Sequence, residues 1–586
     1  MRSPSALSLA ALALFQAAGC ETETHHGPRD AHGEDAGLDA EPVVDALEIT
    51  TNDGSFDAGP DAYAMPAPWF VDVTHAWGIE YVREGAEGYE TITDRIGGGV
   101  CPFDLDGVAP LDLVFPMRKT ETSHTRLYVG RRVGSELEYA DETDTRGLGG
   151  AGDVHACLAF DADGDGDEDL ALAGRGTVQL FENEGGRLSE ITARLGLSLD
   201  PRDVYAGMAA GDVDHDGDVD LFVAGFLRFD VSRFEPGERC GTIPCSSSLY
   251  ELEGIRDLVL VREADGSYRD ATAAIAPDLL RDEMTLVPAI LRMTGTGPVD
   301  LFVGNDLGAR YRDRVLRWSE AAGEYVDVAI ELGLATNARG YGIDTMGWSQ
   351  GDLDDDGALD FVTSSWPGDT TAAHFCATLT DGDFCEERGR TVGLSTGVGS
   401  FRWGVGVGDL DLDGDLDVIE AAGHLYAQDD LGRTADELQT PNLFENVGGA
   451  LERRVYPADD ALATRATLRG LSLVDLDDDG RLDVVMAPSR GEPRVLHNVH
   501  AREGHWLRVA LHGQAAGARL VISWAGGRVI RAHPIGEGFM GNFDPRVHVG
   551  LPADVTHVSV DVDWPSGEIS RRTDVAVDGE LSVASP

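Results

Sequence analysis

Five segments of the chain carry the pattern D-x-D-x-D-G-x-x-D followed at once by an apolar run. They read "DADGDGDEDLAL" from Asp161, "DVDHDGDVDLFV" from Asp212, "DLDDDGALDFV" from Asp352, "DLDLDGDLDVI" from Asp409 and "DLDDDGRLDVV" from Asp475. A unit repeated in this way cannot bury its apolar face alone and must stack on its neighbours, so the repeat constrains the fold more than any other feature. Stretches such as "DLFVAGF" and "DVVMAPS" are alternating or β-branched, which favours a strand after each loop rather than a helix. Two further copies are eroded. "PFDLDGVAPLDLVF" keeps Asp104, Asp106 and Gly107 but has its last acid displaced to Asp112; "RMTGTGPVDLFV" keeps only Gly297 and Asp300. The seven glycines, at 107, 166, 217, 297, 357, 414 and 480, lie 59, 51, 80, 60, 57 and 66 residues apart. That interval suits four short strands with their loops, with one long insertion near Cys240.

A second element recurs between the copies, as in "LFENEGGRLSEITARLGL", "NLFENVGGALERRV", "YVDVAIELGL" and "YRDATAAI". It reads as an outer hairpin with a glycine turn. Its phase is informative. "FVDVTHAWGI" at Phe70 belongs to this element yet precedes the first Asp loop, whereas the seventh loop ends in "VLHNVHAREG" without such a strand. The N-terminal strand is therefore expected to complete the last unit and close a ring. The same phase disposes of an EF-hand reading of "DLDLDGDLDVIE", which ends on Glu420 at position 12. The other four loops have Leu172, Val223, Thr363 and Met486 there, so Glu420 completes that pattern by coincidence.

The seven copies resemble the FG-GAP (VCBS-type) repeats of integrin-α-like β-propellers, and their arrangement with "F-x-D-V-T" strands is similar to the cartilage acidic protein family. From Gly504 the segments "GHWLRVALHG", "GARLVISWAGG", "RVHVGL" and "VDWPSGEI" resemble the ASPIC/UnbV domain. The resemblance implies an all-β chain: a seven-bladed β-propeller over residues 67–503, then a small C-terminal β domain over 504–586.

Carboxylates at alternate positions of a tight loop point to one side, glycine at position 6 permits the turn, and hard oxygen donors suit Ca²⁺. Without a cation, four carboxylates within nine residues repel one another. In the resembling repeats the ligands are the side chains at positions 1, 3, 5 and 9 and the carbonyl at 7. Carried over, these are Asp161, Asp163, Asp165, Asp169 and the carbonyl of Asp167; Asp212, Asp214, Asp216, Asp220 and that of Asp218; Asp352, Asp354, Asp356, Asp360 and that of Ala358; Asp409, Asp411, Asp413, Asp417 and that of Asp415; and Asp475, Asp477, Asp479, Asp483 and that of Arg481. About five structural Ca²⁺ ions are expected, with weak or no binding in the two eroded copies.

Charge limits the partners. The chain has 104 acidic against 46 basic residues, a net charge of −58, which argues against nucleic acid and against an anionic membrane surface. The N-terminus "MRSPSALSLAALALFQAAGC" reads as a secretory signal over 1–20, its apolar run being too short to span a bilayer. Its end resembles a bacterial lipobox with Cys20 as the lipidated residue. Glu21 after it favours an outer-membrane or surface anchor; plain cleavage would leave a periplasmic or secreted chain. Residues 21–66 form an acidic, Gly- and Pro-containing linker. Among the other six cysteines, Cys240 with Cys245 and Cys376 with Cys385 are spaced as short disulfide loops, and Cys101 and Cys157 either pair or stay buried as thiols.

No catalytic constellation is recognisable. "GLSTG" at Gly393 matches a nucleophile elbow, but in an all-β repeat it reads as a loop. Trp348 and Trp403 precede Asp loops and suit either sugar stacking or packing. The expected role is a surface binding or adhesion module for an extracellular protein or glycan, using the propeller face and insertions such as Phe226 to Tyr250. The alternative is a secreted carbohydrate-active enzyme, a polysaccharide lyase or hydrolase, on the same scaffold.

Overall fold

The computed structural model describes residues 63–65, 67–84, 92–120, 123–234, 248–293, 298–366, 370–379, 382–394, 400–425, 436–513, 515–533 and 535–586, with the strand pair 239–240 and 243–244. The signal segment, Cys20 and linker residues 21–62 lie outside them, whereas Tyr63–Ala64, assigned by the sequence to the linker, is a strand paired in parallel with Ala450–Val455 of the sixth unit. Strands dominate the regular structure of the described chain, and its few helical turns are three to five residues long.

Among the described residues, seven four-stranded antiparallel units follow one another along the chain, the third and sixth each carrying one extra short strand. In the second unit, Val154–Phe160 leads through the Asp161 loop into Asp169–Gly174, then Thr177–Asn183 and Leu188–Glu190. The first two strands are buried on both faces throughout, so they read as apolar runs, while the outer strand buries Leu188 and exposes Ser189 and Glu190. The predicted hairpin is this outer pair, turned at Gly185 and Gly186, both with positive φ.

The leading strand of each unit packs on that of the next, and Thr467–Val474 of the last packs on Cys101–Phe103 of the first, so the contacts form a closed, propeller-like ring. Closure is made as expected: Phe70–Asp72 pairs antiparallel with Arg494–Asn498, Phe70 opposite Asn498. Asp460 fixes the entry of that strand by accepting the backbone N–H of Trp69 at 2.7 Å and of Phe70 at 3.4 Å. Cys101 and Cys157 pair, joining the leading strands of the first two units, and Cys376 pairs with Cys385 across one hairpin. Cys240 lies on Arg239–Cys240, which pairs with Ile243–Pro244; the side chains of Cys240 and Cys245 lie outside the described residues.

The C-terminal part holds a three-stranded and a four-stranded sheet around its own core of Leu507, Val509, Leu520, Ile522, Val549 and Val560. It also sends residues 535–544 into the centre of the ring. Gly538 exchanges backbone hydrogen bonds with Trp348 in the fifth unit (2.9 and 3.2 Å), and the Met540 carbonyl accepts from Cys157 N in the second (3.1 Å). Asn542 accepts from Ala159 N (3.2 Å) and donates to the Pro102 carbonyl in the first unit (3.3 Å), while Asp544 N donates to Leu473 O in the seventh (3.0 Å). Phe539 and Met540 are 1% and 4% exposed, each burial being worth about 1.5–3 kcal/mol. Trp348 and Trp403 are both 1% exposed and pack around this segment, which settles their role as packing residues.

The approach is close enough to require glycine. A Cβ on Gly541 would lie 2.1 Å from the Val100 carbonyl oxygen. Gly541→Ala should therefore lower the thermal midpoint, followed by near-UV circular dichroism, by several degrees, whereas Gly579→Ala, which meets nothing within 4 Å, should leave it unchanged.

Candidate metal centres

All five intact loops share one geometry. Position 4 is left-handed in each: Gly164 (φ 82°), His215 (67°), Asp355 (56°), Leu412 (63°) and Asp478 (59°), and the position-6 glycine follows with φ between 87° and 107°. This double reversal turns the odd-numbered side chains inward. One oxygen of the position-1 carboxylate accepts the glycine N–H, at 3.1 Å (Asp161), 3.2 Å (Asp212), 3.1 Å (Asp352), 2.9 Å (Asp409) and 2.9 Å (Asp475). The position-5 carboxylate accepts the N–H of position 7, at 2.9 Å for Asp167, Asp218 and Arg481 and 2.8 Å for Ala358 and Asp415.

Position 9 opens the second strand and is buried: Asp169, Asp220, Asp360, Asp417 and Asp483 are at most 2% exposed. One oxygen takes the N–H of position 2 in its own loop: Ala162, Val213, Leu353, Leu410 or Leu476. The other takes an N–H from the third strand: Asn183, Arg262, Cys376, Asn446 or Asn498. The asparagines go further. Asn183, Asn446 and Asn498 donate their side-chain amides to Leu105 O, Leu353 O and Leu410 O, each at position 2 of the loop in the preceding unit (2.8–3.2 Å).

The same register corrects the first eroded copy. Asp112 accepts from Leu105 N (3.2 Å) and Gly130 N (2.8 Å), as a position-9 residue does, and Gly107 is left-handed at φ 72°. Counted from Asp104, Gly107 is therefore the counterpart of Gly164, and Asp112 is in place rather than displaced; what is lost is the acid at position 5, now Val108, and the glycine at position 6, now Ala109. In the other eroded copy Arg292 stands at position 1 and Asp300 is bound bidentately by Arg317 (2.8 and 2.8 Å).

Ligand atoms converge, those of each group within 4.8 Å, for Asp161, Asp163 and Asp169, for Asp212, Asp214 and Asp216, and for Asp352, Asp354 and Asp356. In the fifth loop Asp477 and Asp479 converge with His497, and in the fourth Asp411 converges with His500 and Glu503. The second oxygen of Asp352, Asp409 and Asp475 is buried without a hydrogen-bond partner. A desolvated, unpartnered carboxylate oxygen inside an all-oxygen loop is costly unless a cation meets it. The donor set of hard carboxylates therefore fits Ca²⁺ at these loops. Glu420, by contrast, faces away from the loop, accepting from Asn442 Nδ2 at 2.9 Å and pairing with the Thr371 hydroxyl.

The loops differ in their compensation. Arg508 binds Asp475 (2.8 Å) and Asp478 (2.8 Å), Arg481 pairs with Asp479, and Arg388 pairs with Asp354 (3.0 Å). Among the described residues no ion pair reaches Asp409, Asp411, Asp413, Asp415 or Asp417. Burial first, then repulsion by Asp413, pushes Asp409 up to about 7, and burial with Asp413 and Asp409 pushes Asp411 up to about 8. Burial likewise holds Asp360 and Asp475 at about 8.

A cavity of about 770 Å³ lies between the ring and the C-terminal part, lined by Glu168, Glu537, Arg531 and Arg546 among others. Burial pushes Glu168 up to about 8 and Glu537 to about 7. Of "GLSTG", Gly393 ends the short helix Gly389–Val392, and Ser395 lies outside the described residues.

Residues 161–223 match the FG-GAP-like repeat family and residues 509–586 match ASPIC and UnbV. Cartilage acidic protein 1 of Mus musculus is 24% identical over 522 residues, 83% of this chain and 73% of the relative. The Homo sapiens protein of that name is 23% identical over 558 residues, 88% of this chain and 76% of the relative. Similar solved structures include an Agrocybe aegerita lectin recognising non-reducing terminal N-acetylglucosamine (TM-score 0.35, 14% identity, 70% of this chain and 91% of that one). Another is the Bacillus licheniformis rhamnogalacturonan lyase (TM-score 0.30, 9% identity, 86% and 92%). At these scores neither bears on ligand or activity.

The raised carboxylates set the pH response of the metal-free chain. A folded pKa above the unfolded value means that the native state holds more protons between about pH 4 and 8, so stability rises as pH falls through that window. With chelator present, the thermal midpoint should increase from pH 8 to pH 5, and saturating Ca²⁺ should flatten or reverse that slope.

Proposed function

We propose that the chain is an exported, Ca²⁺-stabilised, seven-bladed β-propeller that acts as a binding or adhesion module for an extracellular protein or glycan, without catalysing a reaction. The observation that carries the calcium reading is the buried, unpartnered position-1 oxygen of Asp352, Asp409 and Asp475, beside carboxylates that converge in the Asp352 and Asp475 loops. Two disulfides accord with an oxidising, extracellular compartment, and among the described residues no helix is long and apolar enough to cross a membrane. Lipid attachment through Cys20 would hold the module at a bacterial outer membrane or cell surface. The binding role draws on the position of the C-terminal part: it packs on the Asp352, Asp409 and Asp475 loops and fills the centre, which leaves the opposite face and the rim for partners.

The carbohydrate-active alternative has one observation in its favour, the two protonatable carboxyls, Glu168 and Glu537, that line the interdomain cavity. Incubating the full chain with a glycan panel separates the two. Retention without shorter products supports the module; product release that disappears in Glu168→Gln supports the enzyme. The calcium reading is tested separately: millimolar Ca²⁺ should raise the thermal midpoint by several degrees over excess chelator, and an unchanged midpoint would overturn it.

A further inference from the structure

The stretch at the end of the last strand of the ring, "HNVHAREG", lies over the Asp409 loop and is tied to it at two points. Asn498 donates its side-chain amide to Leu410 O at 2.8 Å, and Glu503 donates its backbone N–H to Asp411 O at 3.2 Å. Between these ties His500 lies against Trp69, ring centroids 4.2 Å apart, with its backbone N–H on Asn498 Oδ1 at 3.0 Å. The imidazole is thereby positioned, yet among the described residues neither ring nitrogen makes a hydrogen bond. One nitrogen of His500, one oxygen of Glu503 and one of Asp411 lie within 4.8 Å of one another.

Two arginines stand nearby without neutralising the cluster: Arg481 donates to the Asn498 carbonyl at 2.8 Å and pairs with Asp479, and Arg531 lies near Asp409 without an ion pair to it. Asp409, 1% exposed, keeps one oxygen without a partner in the same loop, and no described Arg or Lys forms an ion pair with the loop carboxylates or with Glu503. We propose that Asp411, His500 and Glu503 form a mixed nitrogen and oxygen site for a borderline first-row divalent cation such as Zn²⁺, held in preference to Ca²⁺. The chemistry follows from the donors. Ca²⁺ collects six to eight oxygens and gains little from an imidazole, whereas imidazole beside carboxylates suits Zn²⁺ and its neighbours. Zn²⁺ with ligands about 2.0–2.2 Å away needs donor atoms no more than about 4 Å apart, so a small closure of this cluster suffices. The site would also pin the segment joining ring and C-terminal part to the sixth unit. The inference rests on the reading above only in taking the Asp409 loop as a cation loop, and its test reads a different ion.

The full chain, stripped with chelator and returned to millimolar Ca²⁺, is titrated with Zn²⁺ alone by calorimetry, alongside His500→Phe and Glu503→Gln. Phenylalanine keeps the contact with Trp69 and removes the nitrogens. The expected result is one Zn²⁺ that Ca²⁺ does not displace, weakened at least tenfold in both variants with Ca²⁺ stoichiometry unchanged. Zn²⁺ binding that is absent, equal in wild type and His500→Phe, or displaced by millimolar Ca²⁺ overturns the proposal. Zn²⁺ binding lost in the variants of a chain that takes up no Ca²⁺ supports it while removing the calcium reading.

Discussion

The buried aspartate at position 9 is the contact on which the rest of the ring depends. It joins three pieces of backbone that have no other reason to meet: its own loop, the strand it opens and the third strand of the same unit. Each of its two oxygens satisfies a backbone N–H that would otherwise be buried unpaired, a penalty of about 1–3 kcal/mol apiece. Where the third strand supplies asparagine, the amide continues into the preceding unit, so local loop geometry and packing between units are coupled through one residue pair. Asp112 keeps this contact after its loop has lost the position-5 acid, which separates the structural duty of position 9 from cation binding.

Concentrating carboxylates beside that contact has an electrostatic cost. Two of them about 4 Å apart repel by about 4 kcal/mol at a near-surface effective dielectric. The chain meets this differently around the ring: arginines from the C-terminal part at the fifth loop, an arginine in place of the first acid at the fourth unit, and, among the described residues, no ion pair at the Asp409 loop. Arg531, 7% exposed, stands near Asp352 and Asp409 with two N–H groups unpartnered and, among the described residues, forms no ion pair; burial lowers its proton affinity, and the nearby carboxylates oppose that shift. The C-terminal part is thus an electrostatic partner of the Asp loops as well as a packing one.

Much of this was legible in the sequence because it is local. The D-x-D-x-D-G-x-x-D spacing, the strand after it, the outer hairpin and the ring-closing Phe70 strand each follow from patterns within about a dozen residues or from their phase. What escaped is long-range or one residue out of register. Gly107 falls into line with the position-6 glycines because glycine also stands at position 4 of the Asp161 loop, and only the hydrogen bonds of Asp112 reveal the count. The asparagines of "FENEGG", "FENVGG" and "LHNVH" recur visibly, yet their partners lie 78, 93 and 88 residues away. Likewise "HAREG" reads as a linker until the ring brings it back over Asp411, and nothing in "IGEGFMGNFD" beyond its glycines announces a segment that lives inside another domain.

That central segment has a consequence for how the chain is made. Residues 535–544 join leading strands of the first and seventh units, and Phe70 pairs with Asn498, so the ring's first and last contacts span more than four hundred positions. Contact order this high makes folding slow, and a chain emerging residue by residue cannot finish its centre until nearly all of it has been synthesised. Until then the inner faces of the units, including Trp348 and Trp403, are open to solvent and to one another, so early intermediates need protection from aggregation that the finished molecule does not.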